Sequence, residues 1–303
     1  LKSDRECVCD LSLSLEFTPK AITALSVCAT SSTVIPVTPD GKPLHPALMW
    51  MDQRSYGEAD RINDTNHSVL RFSGGKVSPE WMVPKMLWIR KNLPEIFEEG
   101  VLIVEALDWF NHRLTGEWVI SRCNATCKWN YVSREGGWHD DYFSQIGLAD
   151  YKQYWPSDVV PVGKLIGQIQ PAIAEELGIP SSVKVYQGGI DAHIALLGMG
   201  VVQQGVLGTI MGSSFVHLAH SKEPVFAEGL WGPYPDALLE DRWLLEGGQT
   251  SGGVINRWFR DNFAIDLRRM GGEAYSFLSD KARKITAGSE GLIVLDFWMG
   301  NRT

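Results

Sequence analysis

The sequence predicts an α/β protein of two domains, and three observations carry that prediction. Apolar runs of strand length alternate with amphipathic runs of helix length along the chain. A β-branched run, Val183 to Gln187, delivers Gly188 and Gly189 and then a carboxylate, Asp191, at the start of a helix-like segment. Further on, Gly212-Ser213-Ser214 turns the chain between two strand-like runs. The 303 residues suffice for two cores. The best boundary lies near Gly200, after the helix that follows Asp191, giving domains 1–199 and 200–303.

The elements follow in order. Ile22, Leu25 and Val27 mark a first strand, and Val34, Ile35 and Val37 a second. Thr38-Pro39-Asp40-Gly41-Lys42 is a turn. Ala47 to Met51 reads as a third strand ending in the polar Asp52-Gln53-Arg54, and a charged helix begins near Ser55. Ser78-Pro79-Glu80 has the make-up of a helix start, with Ser as cap and Pro at the first position. Met82, Met86, Ile89 and Leu93 then give one buried stripe, which Pro94 stops. Ala106 to Leu114 is a helix closed by Thr115-Gly116, and Pro171 to Leu177 is a short helix ended by Gly178. Val206 to Met211 and Phe215 to His220 form a hairpin. Gly252 to Phe263 is an amphipathic helix, and Leu292 to Trp298 a last strand.

Composition narrows the function. Hydrophobic residues make up 44% and charged residues 21% of the chain, as in a globular protein. The net charge of -8 argues against a nucleic-acid partner. No apolar run approaches membrane-spanning length, and the first residues lack a signal-peptide core. Cys7 and Cys9, Cys123 and Cys127, and the lone Cys28 do not match the common zinc spacings. They read as buried free thiols in a reducing cytoplasm. The 12 tryptophans fill core, and any that border a polar cleft are suited to stack on sugar faces.

Five places carry chemistry. Asp191, behind two glycines that let a ligand approach the backbone, reads as a general base for a substrate hydroxyl or as a plain helix cap. Gly212, Ser213 and Ser214 offer amides and hydroxyls suited to a phosphate, or form an ordinary hairpin turn. Glu246-Gly247-Gly248-Gln249 reads as a glycine-rich loop before a helix, where a ligand meets the backbone, or as a loop with a flexible cap. Asp52 and Gln53 either hold sugar hydroxyls or form a solvated strand end. Lys128, beside Cys127 and Trp129, either snorkels to water or reaches a substrate oxygen. His193 reads as a satisfied helix residue rather than a ligand. A base followed by a phosphate cradle is the order expected of a sugar kinase. No Walker loop and no Gly-x-Ser-x-Gly elbow is present.

Taken together, these stretches resemble the FGGY carbohydrate kinases nearly end to end. The telling ones are Leu48 to Arg54, Ser78 to Lys85, Cys127-Lys128-Trp129, Gly189 to His193, Met211 to Ser214 and Glu246 to Gln249. Phe226 to Tyr234 and Asp296 to Arg302 look like the ribulokinase branch. The resemblance implies the actin-like, ribonuclease-H-like ATPase fold. It implies that residues 1–199 form a sugar-binding domain lacking its first strands. Residues 200–303 would then begin a nucleotide-binding domain. It gives Asp191 the role of catalytic base and Gly212, Ser213 and Ser214 that of ATP contacts, with Gly247, Gly248 and Gln249 beside them. Lys128 and Glu246 match residues turned toward a ketopentose, and Ser31 and Glu80 match substrate contacts, with Asp52 and Gln53 next to that pocket. Cys28 departs from the pattern, which often has Asp there.

The implied cofactors are ATP and Mg²⁺, and the implied partner is a small sugar, with a homodimer left open. The family pattern begins with Asp-x-Gly-Thr strands, which are not found here, and continues past Thr303 to an adenosine motif. The chain therefore reads as the middle of a kinase. The expected activity is ATP-dependent phosphorylation of a ketopentose or related polyol. The competing expectations are a non-catalytic sugar-binding or regulatory remnant, and another actin-fold ATPase such as a chaperone.

Overall fold

The computed structural model describes residues 18–97, 100–249, 251–270 and 273–295. The elements before Gly200 are, in chain order, β1 (Ala24–Ser26), β2 (Val34–Val37), α1 (Tyr56–Asn63), α2 (Met82–Asn92), β3 (Leu102–Glu105), α3 (Ala106–Thr115), β4 (Ile120–Ser121), α4 (Arg122–Lys128), α5 (Asp140–Gln145), β5 (Val159–Val160), β6 (Leu165–Gln168), α6 (Pro171–Leu177), β7 (Lys184–Tyr186) and α7 (Asp191–Gly198). After it come β8 (Leu207–Met211), β9 (Phe215–Ser221), β10 (Trp231–Pro235), β11 (Trp243–Gln249), α8 (Val254–Asn262) and α9 (Glu273–Ala282).

β1 lies parallel to β7, and β6 joins the other edge of β7 antiparallel. α6 covers this sheet through Ile173 and Leu177, which pack with Val183 and Val185. The local signals for α6 act as expected: Pro171 stands at its first turn and Gly178 ends it at φ 72, a left-handed conformation that glycine adopts without cost. The second sheet is an antiparallel order β10-β11-β9-β8. Two short pairs, β2 with β3 and β4 with β5, connect the rest. The largest core cluster takes Trp81, Met86, Cys123 and Ile190 from before Gly200, and Leu218, Trp231 and Leu244 from after it. The apolar interior thus runs from α2, α4 and the entry of α7 to the second sheet, while the first sheet packs with α6 in a separate cluster.

Several sequence expectations need correction. Ala47 to Met51 is not a strand: Leu48 makes a single bridge to Val34, and the chain then turns, with Asp52 N–H donating to the Met49 carbonyl. Ser78 does not cap a helix. Its Oγ accepts from Glu80 N–H in a turn, and α2 starts at Met82. Pro84 is then the third helical residue, where no intrahelical donor is needed. Met82, Met86 and Ile89 are fully buried as the stripe requires, each side chain gaining about 1.5–3 kcal/mol from burial. Leu292 to Leu295 are extended, exposed and outside any strand, while 296–298 lie outside the described residues. Cys123 and Cys127 are buried free thiols, but Cys28 is exposed at the end of β1, and Cys7 and Cys9 lie outside the described residues. Among the described residues, no helix is long and apolar enough to cross a membrane.

Candidate functional site

A cleft of about 350 Å³ opens between α7 and the β8–β9 hairpin and reaches down to β11 and α4. Asp191, Lys128, Glu246, Glu80, Ser31, Gly212 and Ser214 all line it. Residues far apart in sequence, some on each side of Gly200, therefore meet in one space.

Asp191 is the first residue of α7 and is exposed to the cleft. Its N–H donates to the Ala29 carbonyl at 3.0 Å, and Ala29 N–H donates back to the Gly189 carbonyl at 3.3 Å. These two bonds join the entry of α7 to the turn that carries Ser31. Asp191 Oδ1 accepts from Ala192 N–H at 2.7 Å, and Oδ2 takes no hydrogen bond from the described residues. The preceding glycines serve the chain itself and not a ligand. A Cβ on Gly188 would lie 1.8 Å from the Val27 carbonyl oxygen, and one on Gly189 would lie 3.0 Å from Cys123 Cβ.

At the inner end of the cleft, Lys128 Nζ stands 3.2 Å from Glu246 Oε2 and 3.4 Å from Oε1. Both side chains are nearly inaccessible, at 6% and 5% exposure, so Lys128 does not snorkel to water. Its ammonium lies 5.0 Å from the Trp81 ring centroid and 4.9 Å from that of Trp231, distances at which the aromatic faces attract a cation. Burial pushes the Glu246 carboxyl up, but the charges of Lys128 and His193 outweigh it and hold the pKa at about 2. Trp50, Trp81 and Trp231 all border the cleft.

His193 is a correction. It lines the cleft with a side chain only 2% exposed and its Nε2 3.4 Å from Glu246 Oε2, yet neither ring nitrogen makes a hydrogen bond. Its ring is not satisfied by the helix.

A buried scaffold underlies the substrate side, and the sequence reading missed it. Lys85 is fully buried and donates to the Ser32 and Met49 carbonyls, each at 2.7 Å, fixing both turns that border the cleft. Burial depresses its pKa to about 8, against the opposing pull of Glu105, Glu80 and Asp52. Glu105 caps α3 and accepts from Trp129 Nε1 at 2.6 Å and Asn124 Nδ2 at 2.9 Å. Burial raises its pKa, although hydroxyls of Ser31 and Ser32 and these two donors pull it down. The only local sign of this scaffold is the Glu105 to Asp108 spacing of a capping box.

Other expected site residues stand back from the cleft. The Asp52 carboxylate is engaged by Arg54, with Nη2 at 2.7 Å, and Gln53 Nε2 reaches Glu80 Oε1 at 3.5 Å, so this pair borders the site from behind. Glu246 to Gln249 is not a loop. It is part of β11, with Gly247, Gly248 and Gln249 paired to His217, Val216 and Phe215. The glycines there admit neighbouring backbone: a Cβ on Gly248 would lie 3.0 Å from the Phe215 carbonyl oxygen. The Gly212-Ser213-Ser214 turn is held from the start of α8, since Gly252 N–H donates to Ser213 and Gly253 N–H to Gly212. Among the described residues, no group of three or more His, Cys, Asp or Glu stands ready to hold a metal ion.

A sequence profile of the FGGY family of carbohydrate kinases, N-terminal domain, matches residues 2–198, and that of the family's C-terminal domain matches 207–303. A human protein described as FGGY carbohydrate kinase domain-containing is 35% identical over 240 residues, 73% of this chain and 43% of its own length. A ribulokinase of Shouchella clausii is 32% identical over 305 residues, 93% of this chain and 54% of its own. A solved gluconate kinase of Lactobacillus acidophilus superposes with a TM-score of 0.82 at 21% identity, over 98% of this chain and 58% of that one. A xylulose kinase of Rhodospirillum rubrum gives 0.77 at 22%, over 99% and 60%. These superpositions show the actin-like, two-domain α/β fold expected from the sequence. The chain spans about half the length of the curated relatives it matches.

Proposed function

The chain belongs to the FGGY family of carbohydrate kinases, and on that premise we propose that it serves ATP-dependent phosphorylation of a terminal hydroxyl on a ketopentose, ribulose-like, or on a related polyol. The observation that carries this reading is the placement of Asp191. Its exposed carboxylate faces the cleft, which ends in the Lys128–Glu246 pair and opens at the Gly212–Ser214 turn.

Lys128 offers donors and Glu246 acceptors, so together they match an alcohol, which both accepts and donates. The bordering tryptophans suit the apolar faces of a sugar. The sugar is thereby held with one end toward Asp191. Asp191 accepts the proton of that terminal hydroxyl as its oxygen attacks the γ-phosphorus, and the phosphoryl bond to ADP breaks. The Ser214 side of the Gly212–Ser214 turn serves the phosphates, the Gly212 N–H being spent on the Ser214 carbonyl at 3.0 Å. Asp191 and Ser214 are oxygen donors lining the cleft that would face the Mg²⁺ carried by ATP, which would supply charge neutralisation on the phosphates. Gly247, Gly248 and Gln249 support the nucleotide side as part of the strand paired to β9.

Coupled-enzyme detection of ADP release, with a panel of ketopentoses and pentitols, tests the reading. Turnover that depends on one of these sugars is the expected result. A sugar-induced rise in melting temperature without turnover would assign the cleft to binding alone, and nucleotide binding indifferent to every sugar would remove the carbohydrate assignment.

A further inference from the structure

His193 has no assigned role, and its surroundings give it one. It sits in the first turn of α7, two residues after Asp191, with its side chain 2% exposed. Neither ring nitrogen has a hydrogen-bond partner among the described residues. A buried polar group without a partner is destabilising, and an imidazole that served only as packing would be better replaced by a leucine. Nε2 lies 3.4 Å from Glu246 Oε2, a carboxylate it shares with Lys128, while Nδ1 faces no protein partner among the described residues.

The ring lines the same cleft as Lys128 and Glu246. Lys128 is donor-only and ionised Glu246 acceptor-only, while an imidazole presents two ring nitrogens that can each bond a hydroxyl. One hydroxyl satisfies the lysine–carboxylate pair by accepting from the first and donating to the second. A second hydroxyl on the adjacent carbon finds its match in the imidazole. We propose that His193 is a substrate-binding, specificity-determining residue that, with Lys128 and Glu246, holds two adjacent hydroxyls of the bound sugar. This rests on the carbohydrate-kinase reading of the cleft and adds to it a requirement for a vicinal diol at the end remote from phosphoryl transfer. A site built to bond a hydroxyl discriminates strongly against the analogue lacking it, because the buried partner is then left unbonded.

Calorimetric titration of the full chain with the sugar that supports turnover, and with its mono-deoxy analogues, tests this in wild type, His193→Leu and His193→Asn. His193→Leu is expected to weaken the parent sugar about tenfold and to leave ATP affinity unchanged. One deoxy analogue should be weakened by a similar factor in wild type and by nothing further in His193→Leu, the non-additivity that marks a direct contact. His193→Asn, which keeps a donor and an acceptor, should recover part of the loss, and it carries the test should the leucine variant fail to fold.

Equal sugar affinity in wild type and both variants overturns the proposal, as does a full set of deoxy penalties that persists undiminished in His193→Leu. In those outcomes the ring packs or holds only a water, and the kinase reading stands. If wild type binds no ketopentose or pentitol, the kinase reading falls and this role falls with it.

Discussion

The carbonyl oxygen of Val27 occupies the space in which a Cβ of Gly188 would stand, with only 1.8 Å between the two positions. Real Cβ atoms do not approach backbone that closely, and the obstacle is main chain at the end of β1, which has no rotamer to change. Gly188→Ala is therefore expected to displace the loop that delivers Asp191, lowering both melting temperature and sugar affinity. Thermal unfolding and titration check it. Gly57→Ala, where a Cβ would meet nothing within 4 Å, is the control.

Lys128→Met leaves Glu246 buried without its cation. Removing one partner of a buried pair costs about 3–5 kcal/mol, so urea unfolding should show a loss of that order. Lys128→Met with Glu246→Leu should be less destabilised than the sum of the single variants, since the second change removes the stranded charge.

The same carboxylate makes stability depend on acid. Glu246 ionises at about 2 in the folded chain against an ordinary 4.5. The unfolded chain binds the proton more readily, so the stability this group contributes is complete above pH 4.5 and is lost as pH falls from 4.5 to about 2. The gap in unfolding free energy between wild type and Glu246→Gln should close over that interval.

Lys85 works in the opposite direction. Its folded pKa of about 8 lies below the ordinary 10.5, mainly because of burial. The folded chain releases this proton first, so folding gains stability as pH rises from about 8 to 10.5. A neutral amine keeps two N–H groups, enough for the Ser32 and Met49 carbonyls. Lys85→Met should be less stable than wild type at neutral pH, with the gap widening by on the order of 3 kcal/mol across that interval. Denaturant titrations at pH 7, 8.5 and 10 on both proteins read it directly.

Asp191→Asn keeps the oxygen that accepts from Ala192 N–H and removes the base. Turnover should fall by about a hundredfold or more, while sugar affinity by calorimetry stays within a few-fold. Unchanged turnover would take the base role away from this residue.

Sequence legibility followed how local each determinant is. α6 was readable because Pro171 and Gly178 act on their own backbone, and the start of α7 at Asp191 was readable because strand, glycines and helix start are consecutive. Ala47 to Met51 misled because a strand needs a partner along its length, and only Leu48 finds one. Gly247 and Gly248 misled because their composition suggests a loop, while their pairing with β9 makes them strand. Ser78 misled because a serine hydroxyl serves a turn as well as a cap. Lys128 and Glu246 came from the family resemblance. Their contact spans 118 positions, and no local pattern encodes it. The place of His193 in the cleft was illegible for the same reason: the carboxylate beside its ring comes from β11.

The reciprocal bonds between Ala29 and the start of α7 have a consequence for the proposed chemistry. They tie the turn that carries Ser31 to the residue that carries the Asp191 carboxylate. On the proposed reading, a sugar seated against the first is brought into register with the second by main-chain bonds alone. The Gly212–Ser214 turn belongs to the other sheet, so phosphate and alcohol are presented by separate parts of the fold.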